Sequence, residues 1–236
     1  KFNVLGFVVG KGSMIVSDGA DHKRRRSSVQ AAFSRRRLNG WIPTIIERTD
    51  ATIDHLSRRL PGNGDTVDLY PVSRALVLDI VVRALFGARM AGRAAELGDL
   101  FQRPQDYLES PALKQFPHPF PFGARPRVRR DRRAIDAIID AEIADRRRQP
   151  SGDPLDVLEA LVADGSLSDE EIRDQVVTLI GAGYDTTAAS LAWMLWCATL
   201  APGLWARLRD EADAVFGAVG ETPADSTSLA RLDLAH

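Results

Sequence analysis

From Ser168 to Pro202 nothing in this chain interrupts a helical pattern, a run of about 33 residues, or roughly 50 Å at 1.5 Å per residue. Its start is explicit. Ser168 and Glu171 have capping-box spacing, and Leu167 and Ile172 sit where a hydrophobic staple belongs. Its middle is weak: "GAGYDTT", residues 181–187, holds two glycines, two threonines and an aspartate, all poor helix formers. On a helical wheel Thr186 shares a face with Gln175, Leu179, Ala182, Trp193 and Cys197, flanked by Gly183, Ala189 and Ser190. Small residues there let something large and flat lie against the backbone. Glycine beside a hydroxyl residue also permits a bulge in the hydrogen-bond ladder. A close helix crossing would account for the glycines and alanines. It would not account for Asp185, because a buried carboxylate costs several kcal/mol unless it is paired.

The rest of the chain also reads as mainly α. A helix is expected from about Ala20 through "HKRRRSSVQAAFSRRRL", with Asp18 and Gly19 at its entrance. Ile42, Ile45, Ile46, Thr49, Ile53, Leu56 and Leu60 form the apolar stripe of the next. "PGNGD" (61–65) breaks the chain, "TVDLY" (66–70) suits a short strand, and a helix follows from Pro71 until Gly87 stops it. Another helix is expected over 91–103. Five prolines among residues 111–127 argue against regular helix there. Ile135, Ile138, Ile139 and Ile143 mark an amphipathic helix over 128–149 with a basic outer face. Asp153 and Pro154 suit an N-cap and first position of a short helix to Ala163. A last helix runs to Gly217.

The 236 residues carry 31 basic and 32 acidic side chains, so no global field points to nucleic acid. One cysteine excludes an internal disulfide and any multi-cysteine metal site. No apolar run approaches the length needed to span a bilayer, and no signal peptide is visible. A cytoplasmic protein is expected.

Ala182-Gly183-Tyr184-Asp185-Thr186-Thr187 resembles the (A/G)-G-x-(D/E)-T-(T/S) signature in the long central I helix of cytochromes P450. A second stretch, "DGADHKRRRSSVQAAFS", resembles the C-helix pattern D-G-x-x-H-x-x-x-R of the same family, followed by A-F-(S/T). The two occur in the family's order, and the resemblance covers nearly the whole chain, from about the B–C loop through the J helix. It implies a mainly α fold, the amino-terminal and central portion of the P450 domain, built over a haem b (iron protoporphyrin IX). Ala182, Gly183 and Thr187 would lie against the haem, Gly183 leaving room for dioxygen. Thr186 would hydrogen-bond the reduced oxygen, and Asp185 would relay protons to it. His22 and Arg26, four residues apart on one helix face, would hold the haem propionates. Lys23, Arg24 and Arg35 would face a ferredoxin- or flavodoxin-type electron donor. Met14, Ile15 and Leu179 would line the pocket of a small apolar substrate. Ser28 is expected to point away from the core.

Two further family motifs that follow the I helix, the E-x-x-R pair of the K helix and the F-x-x-G-x-x-x-C-x-G loop that supplies the iron-ligating cysteine, do not occur between the I helix and His236. Cys197, three turns from Thr186 or roughly 16 Å along the helix, reads as a buried structural cysteine and not as the ligand. The chain is thus read as a fragment or a natural truncation of a haem-thiolate monooxygenase, with apolar surface left uncovered. A non-catalytic α-helical binding or scaffold protein derived from that family is the other reading.

Overall fold

The structure is a computed structural model that describes residues 4–60, 66–116, 123–150, 152, 156–217 and 226–233. Every regular element among the described residues is helical. The chain divides into two compact units, Lys1–Phe33 with Val81–Tyr184 and Ser34–Ile80 with Asp185–His236.

The first unit begins with α1 (Val4–Val9), a loop closed by a 3-10 turn at Met14–Val16, and α2 (Gly19–Ala32). The run expected to continue to Leu38 stops at Phe33, and a new helix, α3 (Arg35–Arg59), starts after Ser34. Helix α4 (Leu69–Phe86) enters this unit at Val81 and ends at Gly87, whose φ of 67° suits glycine. A 3-10 segment (Gly87–Arg93) leads into α5 (Ala94–Glu109), which is longer than the 91–103 expected. Two bonds at i, i+4 spacing, Gln102 to Asp106 and Gln105 to Glu109, support the added turn. The proline-rich stretch holds a four-residue helix α6 (Ala112–Gln115) and the start of α7 (Ala124–Arg148). Pro126 falls in the first turn of α7, where no intrahelical N–H bond is lost.

Helix α7 packs along α5. Its stripe Ile135, Ile138, Ile139 and Ile143 is buried as expected, and Val128 joins Val8, Val9 and Tyr107 in one cluster. The expected basic outer face is incomplete, because Arg132 and Arg146 are buried. Arg146 has no exposed side-chain surface and donates to Asp156 at 2.6 Å, Glu142 at 2.9 Å and the Phe86 carbonyl at 2.8 Å. Asp156 is also the N-cap of α8 (Val157–Asp164), accepting from the Glu159 N–H at 3.0 Å. The expected cap at Asp153 and Pro154 lies outside the described residues.

The long helix α9 spans Asp169–Leu200, within a residue or two of expectation. Its capping box is present: the Ser168 N–H donates to Glu171 and the Glu171 N–H to Ser168 Oγ. The bulge that the glycines permit does not form, since α9 stays α-helical throughout.

In the second unit, α3 and the start of α4 are joined by an ion pair between Arg48 and Asp79 at 2.7 Å. The expected stripe of α3 is only partly used, with Ile42 buried while Ile45 and Ile53 are exposed. The strand expected at 66–70 is not formed. Asp68 accepts the Tyr70 N–H at 3.0 Å, and Leu69 opens α4 instead. This unit also holds α9 from Asp185, α10 (Leu204–Phe216) and α11 (Ser226–Leu229).

Arg146→Ala removes the buried Arg146–Asp156 ion pair, which costs about 3–5 kcal/mol. The midpoint of urea unfolding is expected to fall accordingly, and an unchanged midpoint would show that the network contributes nothing.

Candidate functional site

In the first unit the loop from Gly10 to Ser17 is fastened to α9 by side chains. The buried Asp174 carboxylate accepts from the Gly12 N–H at 2.9 Å and from Arg132 at 2.5 Å. Gln175 accepts from the Met14 N–H at 2.9 Å and donates to the Gly12 carbonyl. Thr178 Oγ1 donates to the Asp174 carbonyl, so at 2.7 Å from Ser13 Oγ it accepts the Ser13 hydroxyl. Gly10 has a φ of 95°, and a Cβ there would overlap the Asp174 carboxylate. A side chain does not fit at this position, and the positive φ itself favours glycine.

The loop carries Met14, half-buried, and Ile15, exposed, while Leu179 follows Thr178 on α9 and is half-buried. His22 is half-buried on α2, and its Nδ1 lies 2.9 Å from the Met14 carbonyl. The structure therefore brings the expected anchor His22 and the pocket residue Met14 into direct contact. Arg26, one turn on, is exposed and makes no side-chain bond among the described residues.

The other cations of α2 divide. Lys23 is exposed. Arg24 and Arg25 both bind Glu171, at 2.5 and 3.0 Å, and Arg24 also donates to the Ser166 carbonyl. The guanidinium of Arg24, expected to face outward, is thus committed to α9. Hydrogen bonds from Arg24, then the Ser168 N–H and Arg25, hold the Glu171 carboxyl down to about 2 despite its burial. Ser28, also expected outward, is buried 2.6 Å from Ser166 Oγ. Arg35 opens α3 in the second unit and is exposed.

On α9 itself, Ala182, Thr186 and Thr187 are exposed and Gly183 is half-buried. A Cβ built on Gly183 would meet only Val81, at 4.0 Å. Tyr184 is buried, edge-on to Phe101. Asp185 is buried in the second unit, where its Oδ1 accepts from Tyr70 Oη at 2.9 Å and pairs with Arg74 at 2.9 Å. Tyr70 and Arg74 are one turn apart on α4, so one face of that helix satisfies the carboxylate. The side chains of Asp185 and Thr186 leave α9 about 100° apart.

Sequence reasoning missed Asp174, Gln175, Thr178 and Ser13 in the loop fastening, and Tyr70 and Arg74 around Asp185. The glycines at 10 and 12 were the available signal for the first group. Cys197 is exposed, not buried as expected. Trp193, Met194, Trp196 and Leu200 near it on α9 are exposed too. Tyr70, Ala189, Ala192, Trp193 and Trp196 line an open apolar hollow of about 360 Å³. Among the described residues no cluster of three His, Cys, Asp or Glu could hold a metal ion, and no single helix is long and apolar enough to cross a membrane.

The sequence model of the cytochrome P450 family matches residues 6–234. The Mycobacterium tuberculosis protein named cytochrome P450 139 is 35% identical over 94% of this chain and 51% of its own length. Cyclooctatin synthase of Streptomyces melanosporofaciens is 34% identical over 94% and 49%. The chain thus spans about half the length of the curated relatives it matches. Among solved structures, the cytochrome P450 CYP102L1 superposes with a TM-score of 0.82 at 21% identity, covering 98% of this chain and 54% of that one.

The Glu171 carboxyl titrates lower when folded than when unfolded, so its contribution to stability is present above its ordinary value of 4.5 and is lost as pH falls toward about 2. Glu171→Gln is expected to flatten this acid limb of unfolding, and an unchanged limb would remove the Arg24–Arg25–Glu171 cluster as its cause.

Proposed function

Because this chain belongs to the cytochrome P450 family, we propose that it carries the oxygen-activating and propionate-holding residues of a haem-thiolate monooxygenase. The reaction inserts one atom of O₂ into a small apolar organic substrate, with two electrons from a ferredoxin- or flavodoxin-type donor. The observation that carries this reading is the open stripe of Ala182, Gly183 and Thr186 on α9 beside a paired Asp185.

The residues present fit haem b. Arg26, exposed and without a side-chain bond among the described residues, and the half-buried His22 one turn away form a donor pair of the kind that propionates take. At the half-buried Gly183 a Cβ would meet Val81 at 4.0 Å among the described residues, which leaves room for a flat group along the stripe. When bound, haem supplies the binding and reduction of dioxygen. The family's iron-ligating cysteine motif does not occur within residues 1–236, so no residue here is assigned as the iron ligand.

What the chain itself does is bind, orient and move protons. Arg26 and His22 fix the propionate edge. Ala182, Gly183 and Thr187 would lie against the haem. Thr186 Oγ1 both donates and accepts, so it can hold a water and pass a proton at that atom. Asp185 is the carboxylate that resupplies it, and its pairing with Arg74 and Tyr70 keeps it on α9 without an uncompensated buried charge. Met14, Ile15 and Leu179 give the substrate pocket its apolar lining. Lys23 and Arg35 offer exposed positive charge to an acidic electron donor, and Arg24 adds what its pairing with Glu171 leaves open.

Thr186→Ala is expected to lower product formation on the order of 10²-fold while O₂ consumption continues and peroxide accumulates. Unchanged coupling would remove Thr186 from the mechanism. Arg26→Ala is expected to weaken haem binding about 10- to 100-fold, the worth of one charge-assisted hydrogen bond. Full haem occupancy in that variant would count against the propionate role, and a protein that takes up no haem at all would point to the non-catalytic reading.

A further inference from the structure

His22 has more to satisfy than one hydrogen bond. A carbonyl can only accept, so in the 2.9 Å contact with the Met14 carbonyl the hydrogen sits on Nδ1 of His22. A neutral imidazole has a single N–H, which leaves Nε2 with a bare lone pair. An ionised carboxylate is also an acceptor only, so a propionate opposite that lone pair would be repelled. The Met14 carbonyl also accepts from the Ser17 hydroxyl at 2.9 Å and the Ser17 N–H at 3.3 Å, so turning the tautomer over would not strand it, but would set a bare Nδ1 lone pair against its oxygen at 2.9 Å. That carbonyl belongs to a loop whose other polar groups are already committed: the Met14 N–H to Gln175, the Gly12 N–H to Asp174 and the Ser13 hydroxyl to Thr178.

We propose that His22 holds a haem propionate only as the imidazolium, so that cofactor binding draws one proton from solvent onto Nε2. This deepens the propionate-anchoring reading of His22 and rests on it. In the bound state Nδ1–H donates to Met14 and Nε2–H donates to the carboxylate, and no other bond forms or breaks. The charged groups around the imidazole are few. Asp18 caps α2, and on α2 itself they are Asp21, Lys23, Arg24, Arg25 and Arg26. Of the elements packed against α2, the turn Met14–Val16 has no ionisable side chain. Helix α8 brings Glu159 and Asp164, and α9 brings Glu171. Glu171 is bound to Arg24 and Arg25, Glu159 lies beside Arg146 and Asp164 is bonded to Ser166. Among the described residues no carboxylate is bonded to His22.

The test is haemin binding to the full chain between pH 6 and 9, followed by Soret absorbance, beside His22→Gln and Arg26→Ala. The amide of glutamine donates at every pH, so His22→Gln removes the coupling while its dependence on haemin's own titration stays. The wild-type affinity is expected to fall with rising pH, relative to that variant, by up to about tenfold per pH unit. Arg26→Ala is expected to bind more weakly at every pH with the wild-type slope. Parallel pH curves for wild type and His22→Gln would overturn the proton coupling. Affinities unchanged in both variants at every pH would instead overturn the anchoring reading beneath it. Nitrogen-15 NMR of histidine-labelled wild type loaded with gallium protoporphyrin IX needs no variant to fold. An imidazolium signal at pH 8 supports the proposal, and a neutral ring protonated at Nε2 overturns it.

Discussion

One buried carboxylate, that of Asp174, fastens the first unit together. Left alone it would cost several kcal/mol, and it is matched by the Arg132 guanidinium and the Gly12 N–H. Arg132 also donates to the Val8 carbonyl at the end of α1 and to Asp136 one turn along α7. A single ion pair therefore joins α1, the loop after it, α7 and α9. The loop's course follows from that pair. Gly10 and Gly12 lie so close to the carboxylate that no side chain fits at Gly10, and even a methyl group at Gly12 would crowd Asp174 and Glu171.

From this joint the site is assembled outward. Because Gly12, Ser13 and Met14 are held on successive α9 side chains, the Met14 carbonyl is placed where His22 reaches it. The capping residue Glu171 captures Arg24 and Arg25, which ties up two of the four cations of Lys23–Arg26 and leaves Arg26 without a side-chain partner among the described residues. The same helix that organises the loop thus selects which arginine is open to an anion. In the second unit Asp185 is treated likewise: Tyr70 and Arg74 satisfy it, and the neighbouring Thr186 stays exposed.

Much of this was legible beforehand. The capping box at Ser168 and Glu171, the length of α9, the isoleucine stripe of α7 and the breaks at Gly87 and Gly217 all came from local rules. Those rules act within a few residues, through caps, periodicity and backbone conformation. The failures share a different cause. Residues 66–70 suited a strand by composition, yet the Asp68 side chain stabilised a helix start. The glycines of α9 could have bulged the helix, but neighbours such as Phe101 near Gly181 pack against it and the α-ladder persists. Ser28 and Arg24 were placed outward by the wheel, because a wheel shows faces and not what covers them. Cys197 looked buried among tryptophans that are themselves exposed.

By itself the sequence determined the helical class, the long helix with its weak centre, and two motifs that carry the family resemblance, because spacing along a helix is enough to put residues on one face. Only the tertiary structure decided which charges are spent inside and which remain available. Arg132, Arg146 and Arg24 look like Arg26 in the sequence, yet the first three are consumed by Asp174, Asp156 and Glu171. Those partners lie between 10 and 147 residues away along the chain. A charge-assisted bond depends on distance in space, and no local pattern encodes that.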